Sequence, residues 1–112
     1  MKLEDMKCGN ALIIRPLEAR LDAAAAPHFK ASVVTMMEAG EETILLDLSE
    51  VDFIDSSGLG ALVSLLKRMS PVGKLAVCGL RSSAFNMFRL TRMDKVFPIF
   101  PSRAEALTAL GN

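Results

Sequence analysis

Residues 46–62 read LDLSEVDFIDSSGLGAL, and the chain changes character twice within them. The segment leading in, TILLDLS at 43–49, is apolar from Ile44 to Leu46 and then turns acidic. That is the pattern of a strand buried on both faces and ending at the rim of a sheet. The segment leading out, SSGLGALVSLLKRM, places Leu59, Leu62, Val63, Leu66 and Met69 on one helical stripe, with Lys67 and Arg68 suiting its C-terminal dipole. Between strand and helix stand two serines, Ser56 and Ser57, behind Asp55. A helix start needs one capping side chain, and three capping types stand in a row here. Neither serine has Glu or Gln three residues on to complete a capping box, since Leu59 and Gly60 occupy those places.

Working outward, residues 2–8 and 11–21 have the composition of two strands joined by a hairpin-type turn at Gly9-Asn10. Pro16 inside the second predicts an edge or a bulge there. From Asp22, a candidate cap, Ala26, Phe29, Val33, Met36 and Met37 recur at helical spacing, and Gly40 closes the helix. KLAVCGL at 74–80 is a second buried strand. Residues 82–92 form a third helix with Phe85, Phe88 and Met87 inward. VFPIF is a last short strand, with Pro98 again marking an edge, and Ser102 can cap a final helix carrying Ala104, Leu107 and Leu110. Strands alternating with helices at this spacing predict an α/β sandwich of about five strands and about four helices, its sheet mixed because of the opening hairpin.

With 112 residues, the chain has the length of one domain, residues 1–112. Half of it is hydrophobic and 23% is charged, a globular composition. Thirteen cationic and thirteen acidic side chains balance, and no long charge block points to nucleic acid or an anionic membrane. The charged N-terminus MKLEDMKCGN lacks the apolar stretch of a secretory signal, and no apolar run approaches the ~20 residues of a membrane span. Cys8 and Cys78 have no metal-ligand spacing, so a reduced, cytoplasmic setting is expected. Absence of Trp and Tyr argues against a base-stacking surface. Gly58-Leu59-Gly60 lacks the third glycine of a dinucleotide fingerprint, the position being Val63. His28, the one histidine, is expected at the surface, Asp47 and Asp52 as solvated loop carboxylates, and the Met36-Met37 and Met87–Met93 clusters as core filler or an adaptable docking surface.

The block from Leu46 to Leu62 resembles the signature of the STAS domain and, within that family, of the bacterial anti-sigma factor antagonists. Their pattern is an apolar strand, Asp-Leu-Ser, a spacer, then Phe-apolar-Asp-Ser-Ser-Gly-Leu-Gly entering a helix. Looser similarity extends to KLAVCGL and to LTRMDKVFPIF. The resemblance implies a STAS-like sandwich in which Ser56 is phosphorylated by a partner that is both anti-sigma factor and serine/threonine kinase with a histidine-kinase-like ATPase fold. A PP2C-type phosphatase would reset it. The chain itself would be no enzyme, would hold no cofactor or metal, and would leave ATP to the partner kinase. Asp22, Asp55, Ser57, Gly58, Leu59 and Gly60 would surround the switch. Asp22 is expected near the serine, and Ser57 is expected to cap the helix. The alternative from the same resemblance is a constitutive scaffold subunit of a lipid-transport ABC ATPase or of a stress-signalling complex.

Two departures from the family pattern stand out. Ala19-Arg20-Leu21-Asp22 replaces the frequent Gly-Glu-Leu-Asp, and Arg92 stands where a helix-ending Gly is usual. A left-handed Arg92 would cost about 1 kcal/mol relative to Gly. By residue type, a serine at a helix start tolerates a phosphate because unpaired amides and a partial positive charge face it. Gly58 and Gly60 are expected to keep Cβ atoms away and so let a partner's backbone come close.

Overall fold

The computed structural model describes residues 1–111. Strands β1 (Leu3–Cys8) and β2 (Ala11–Pro16) form the opening hairpin, with Gly9 at φ 60° in its turn. A two-residue strand β3 (Arg20–Leu21) leads to helix α1 (Ala26–Glu38) and strand β4 (Thr43–Asp47). Then come β5 (Phe53–Ile54), α2 (Ser56–Met69), β6 (Lys74–Cys78), α3 (Ser82–Leu90), a 3-10 turn at Met93–Lys95, β7 (Ile99–Phe100) and α4 (Arg103–Ala109). The main sheet has the order β1-β2-β4-β6-β7, antiparallel at β1–β2 and parallel elsewhere. The predicted mixed five-stranded sandwich with four helices is what the chain forms.

The predicted second strand, 11–21, is two strands. Its last two residues leave the main sheet, and Arg20–Leu21 pair in parallel with Phe53–Ile54 as a separate ribbon. Pro16 is also not on an edge strand: β2 is the second strand, and Pro16 is its buried final residue, opposite Leu3. Pairing with β4 covers only Leu12–Ile14, so the proline's missing N–H falls beyond that ladder.

Alternation along the strands divides the core in two. Leu12, Ile14, Ile44, Leu46, Leu75 and Val77 face α1, α2 and α3, meeting Phe29, Val33, Leu62, Leu65 and Phe88. On the opposite face Ile13, Leu45, Ala76 and Cys78 meet Ala106 and Leu110 of the α4 segment. Burial pushes the Cys78 thiol up to about 12, so it behaves as a small apolar filler. Helix phases differ slightly from expectation. In α2 the expected Leu59, Leu62 and Met69 are buried and Leu65 joins them, while Val63 and Leu66 are only half-buried. In α3 Ala84 turns inward beside Phe88, and Phe85 is exposed; in α4 Ala104 is exposed and Ala106 is buried. In α3 and α4 an alanine takes a buried position that the apolar periodicity does not single out. Phe88 meets Phe97 edge-on at 5.4 Å. Arg92 adopts the left-handed conformation, φ 65°, where Gly would be unstrained.

Asp47 is no loop carboxylate. It ends β4 almost fully buried, its Oδ2 accepting from Arg103 Nε at 2.6 Å and its Oδ1 from the Ser49 amide at 3.1 Å. Burial raises its pKa, but the hydrogen bonds from Arg103 and Ser49 outweigh that and hold it below the ordinary carboxylate range. A depressed folded pKa contributes stability above the unfolded value of about 3.9, and that contribution is lost as pH falls. Arg103→Ala is therefore expected to destabilise the protein by about 1–3 kcal/mol at pH 7. The gap from the parent should narrow below about pH 4, and urea titrations at pH 7 and pH 3 check both numbers; an equal loss at both pH values would refute the pairing account.

Candidate functional site

The parallel pairing of β3 with β5 is what assembles the site. Leu21 lies opposite Ile54, so the next residues, Asp22 and Asp55, leave the ribbon side by side. Each carboxylate is spent on backbone amides. Asp22 Oδ1 accepts from Ala24 at 3.1 Å and Ala25 at 3.2 Å, capping the turn that precedes α1, whose first helical residue comes only at Ala26. Its Oδ2 accepts from Arg20 Nε at 3.2 Å. That bond, ahead of the amide bonds from Ala25 and Ala24, holds the Asp22 carboxyl below the usual range. Arg20 also stacks over the Phe53 ring at 4.2 Å, across the ribbon pair.

Asp55 is the N-cap of α2. Its Oδ1 accepts from the Gly58 amide at 2.9 Å, and its Oδ2 from the Ala23 amide at 3.3 Å, joining the start of α2 to the turn before α1. Capping thus belongs to Asp55 and not to Ser57. An aspartate two residues earlier reaches the N3 amide with extended backbone, φ −97° and ψ −174°, which a serine already inside the helix cannot do. Ser56 and Ser57 are the first two helical residues, both exposed, and among the described residues neither hydroxyl makes a side-chain hydrogen bond.

The two glycines differ. Gly58 is buried, and a Cβ there would sit 2.0 Å from the Leu21 carbonyl oxygen. It therefore serves the seating of α2 on β3, not a partner's approach. Gly60 is exposed, and a Cβ there would meet nothing within 4 Å, so it does leave an open surface. Leu59 is buried in the core and also forms the floor of a groove between α2 and α3. This groove, about 420 Å³, runs beside Ser56 and is bounded by Val63, Lys67, Met87 and Met93. Met87 and Met93, candidate fillers or docking residues by sequence, share a cleft only because of how α3 packs. Ser57 faces a second hollow, toward Lys30 of α1.

Other candidates lie elsewhere. Asp52 is exposed and accepts from Arg81 at 2.7 Å, tying the β4–β5 loop to the start of α3. His28 is exposed on α1, its Nδ1 3.4 Å from the Met1 amine. Among the described residues no group of three or more His, Cys, Asp or Glu could hold a metal ion, and no helix is long and apolar enough to cross a membrane.

A five-stranded mixed sheet, helices on both faces, and an Asp-capped Ser-Ser-Gly-Leu-Gly helix start define the STAS class. The STAS domain matches residues 5–106, and the chain belongs to that family. Among its relatives, BtrV of Bordetella bronchiseptica is 28% identical over 101 residues, covering 89% of this chain and 87% of that protein. The anti-sigma-B factor antagonist of Listeria monocytogenes is 29% identical over 80 residues, 70% of either chain. The crystal structure of tm1081 from Thermotoga maritima superposes with a TM-score of 0.91 at 26% identity, covering 98% of this chain and 95% of that one.

Seating through Gly58 makes a sharp contrast testable. Gly58→Ala should cost about 1–3 kcal/mol, because helix or ribbon must shift to admit the methyl group. Gly60→Ala should instead stabilise by about 0.5–1 kcal/mol, the ordinary helix preference for Ala. Thermal unfolding of the two variants decides it; similar melting temperatures would show that the first turn is not seated as described.

Proposed function

We propose that this chain is an anti-sigma factor antagonist that works by partner switching through Ser56. Unphosphorylated, it binds an anti-sigma factor that is also a serine kinase, and the sigma factor is released. The kinase transfers the γ-phosphoryl group of ATP to Ser56 Oγ, and the modified chain lets go. A PP2C-type phosphatase restores the hydroxyl. In this scheme the chain is a substrate and a ligand, not an enzyme. Support comes from relatives named anti-sigma factor antagonists and, above all, from one observation: Ser56 is an exposed, uncommitted hydroxyl at the first position of a helix whose cap is already supplied by its neighbour.

That division makes a phosphate tolerable in the fold and disruptive at an interface. The first amides of α2 and its dipole face the added charge, about −1.5 to −2. Across an interface, one unit charge opposing another at about 6 Å with an effective dielectric near 20 is worth about 3 kcal/mol. Loosening a complex a thousandfold takes about 4 kcal/mol. One phosphate facing one or two partner carboxylates is enough.

Incubation with the kinase and ATP should add 80 Da at Ser56, located by tandem mass spectrometry (the mass of HPO₃, about 80 by composition). Ser56→Ala should bind the anti-sigma factor but take no phosphate, and Ser56→Asp should bind at least tenfold more weakly. Undiminished binding by Ser56→Asp, or a stable complex with a transporter ATPase indifferent to both substitutions, would favour the scaffold alternative instead.

A further inference from the structure

The formally neutral chain is electrically lopsided. Residues 56–97 hold seven cations (Lys67, Arg68, Lys74, Arg81, Arg89, Arg92 and Lys95) and one acid, Asp94. Residues 1–55 hold eleven of the thirteen acids. The basic stretch contains both walls of the groove beside Ser56, α2 and α3 with the turn that follows, and α2 has no acidic residue at all. Arg68 and Arg81 are paired with Glu38 and Asp52. Lys67, Arg92 and Lys95 make no ion pair among the described residues. Lys67 lines the groove, and Arg92 stands in the chain between two lining residues, Thr91 and Met93.

The groove floor is apolar and adaptable, made by Leu59, Val63, Met87 and Met93. One turn beyond Met87, Leu90 is 78% exposed. Along α2 the lining runs from Ser56 to Lys67, about 16 Å at 1.5 Å per residue, room for three turns of a docked helix. Apolar floor and unpaired cations together call for an occupant that is apolar on one face and acidic at its margins.

We infer that the α2–α3 groove receives an acidic amphipathic helix of a protein partner, its apolar face on Met87, Met93 and Val63 and its carboxylates toward Lys67 and Arg92. The occupant belongs to the anti-sigma factor only if the switch reading above holds; the chemistry of the groove stands without it. Together the two explain direction. The occupant is acidic and Ser56 opens onto the same groove, so a phosphate there repels the helix that the cations attract, while Asp22 and Asp55 are already committed to amides and Arg20.

The test is a titration of the full isotope-labelled chain with a capped 14-residue helical peptide, Leu and Met at positions a and d and Glu at the flanks, against its twin carrying Lys for Glu. The acidic peptide should shift the amide resonances of Leu59, Val63, Met87 and Met93, weaken with added salt, and bind at least tenfold more weakly to Lys67→Glu/Arg92→Glu, whose fold is checked by circular dichroism. The lysine twin should leave the groove unshifted. Equal shifts from both peptides, no shift from the acidic one, or groove shifts produced instead by duplex DNA or phosphatidylglycerol vesicles would overturn the inference. Ser56→Asp separates the two claims: peptide binding that survives it leaves the groove assignment standing and removes the charge switch.

Discussion

The first turn of α2 rests on the backbone of β3, and the rest of the site follows from that contact. With no Cβ at Gly58, the helix start approaches the Leu21 carbonyl more closely than any other residue would permit. Asp55 completes the seat from the other side, one oxygen on its own helix and one on the turn before α1. Two short strands of two residues each would be marginal alone. Here they are held by a fork of hydrogen bonds and by the Arg20–Phe53 stack across the pair. The outcome is a helix N-terminus with a fixed direction, presented at the surface beside a cleft.

Adjacent residues consequently do opposite work. Asp55 and Gly58 are committed inward, to amides and to a carbonyl; Ser56, Ser57 and Gly60 face solvent. Had a serine been the cap, modifying it would break the bond that starts the helix, at a cost of about 1 kcal/mol or more. With the aspartate as cap, chemistry at Ser56 and the integrity of α2 are separable. With the cap supplied by Asp55, neither neighbouring hydroxyl is needed to start the helix.

Much of this was legible in the sequence because it is local. The run Ile44–Leu46 ending at Asp47, the helical stripe after Ser56 and the Gly9-Asn10 turn each carry their own pattern, and the mixed sandwich follows from their order. What escaped depends on contacts between distant segments. Nothing in Ala19-Arg20-Leu21-Asp22 shows that it pairs with Phe53–Ile54, yet that register sets Asp22 beside Asp55 and explains Gly58 as packing. Asp47 has the look of a loop acid because its partner, Arg103, lies 56 residues away. Asp55, Ser56 and Ser57 are all good caps by type, and only backbone geometry assigns the role. Helix phase departs from the apolar pattern in α3 and α4, where Ala84 and Ala106 are buried and Phe85 and Ala104 are exposed.

Net charge conceals the other nonlocal feature. A balance of thirteen and thirteen excludes a uniformly basic surface, and the seven cations of residues 56–97 form no run longer than Lys67-Arg68. Folding sorts them: Lys67 lines the cleft and Arg92 stands between two of its lining residues, while Arg68 and Arg81 turn to Glu38 and Asp52. The acids of the first half are drawn largely into pairs and caps, with Glu4, Asp22, Glu38, Glu41, Asp47 and Asp52 in ion pairs and Asp55 on amides. Lys67 and Arg92 are left without an acidic partner among the described residues although the totals cancel. A dianionic group placed at the mouth of that groove would change its local balance far more than it changes the net charge of the protein, since opposing charges within a Debye length of about 8 Å are the ones an approaching partner feels.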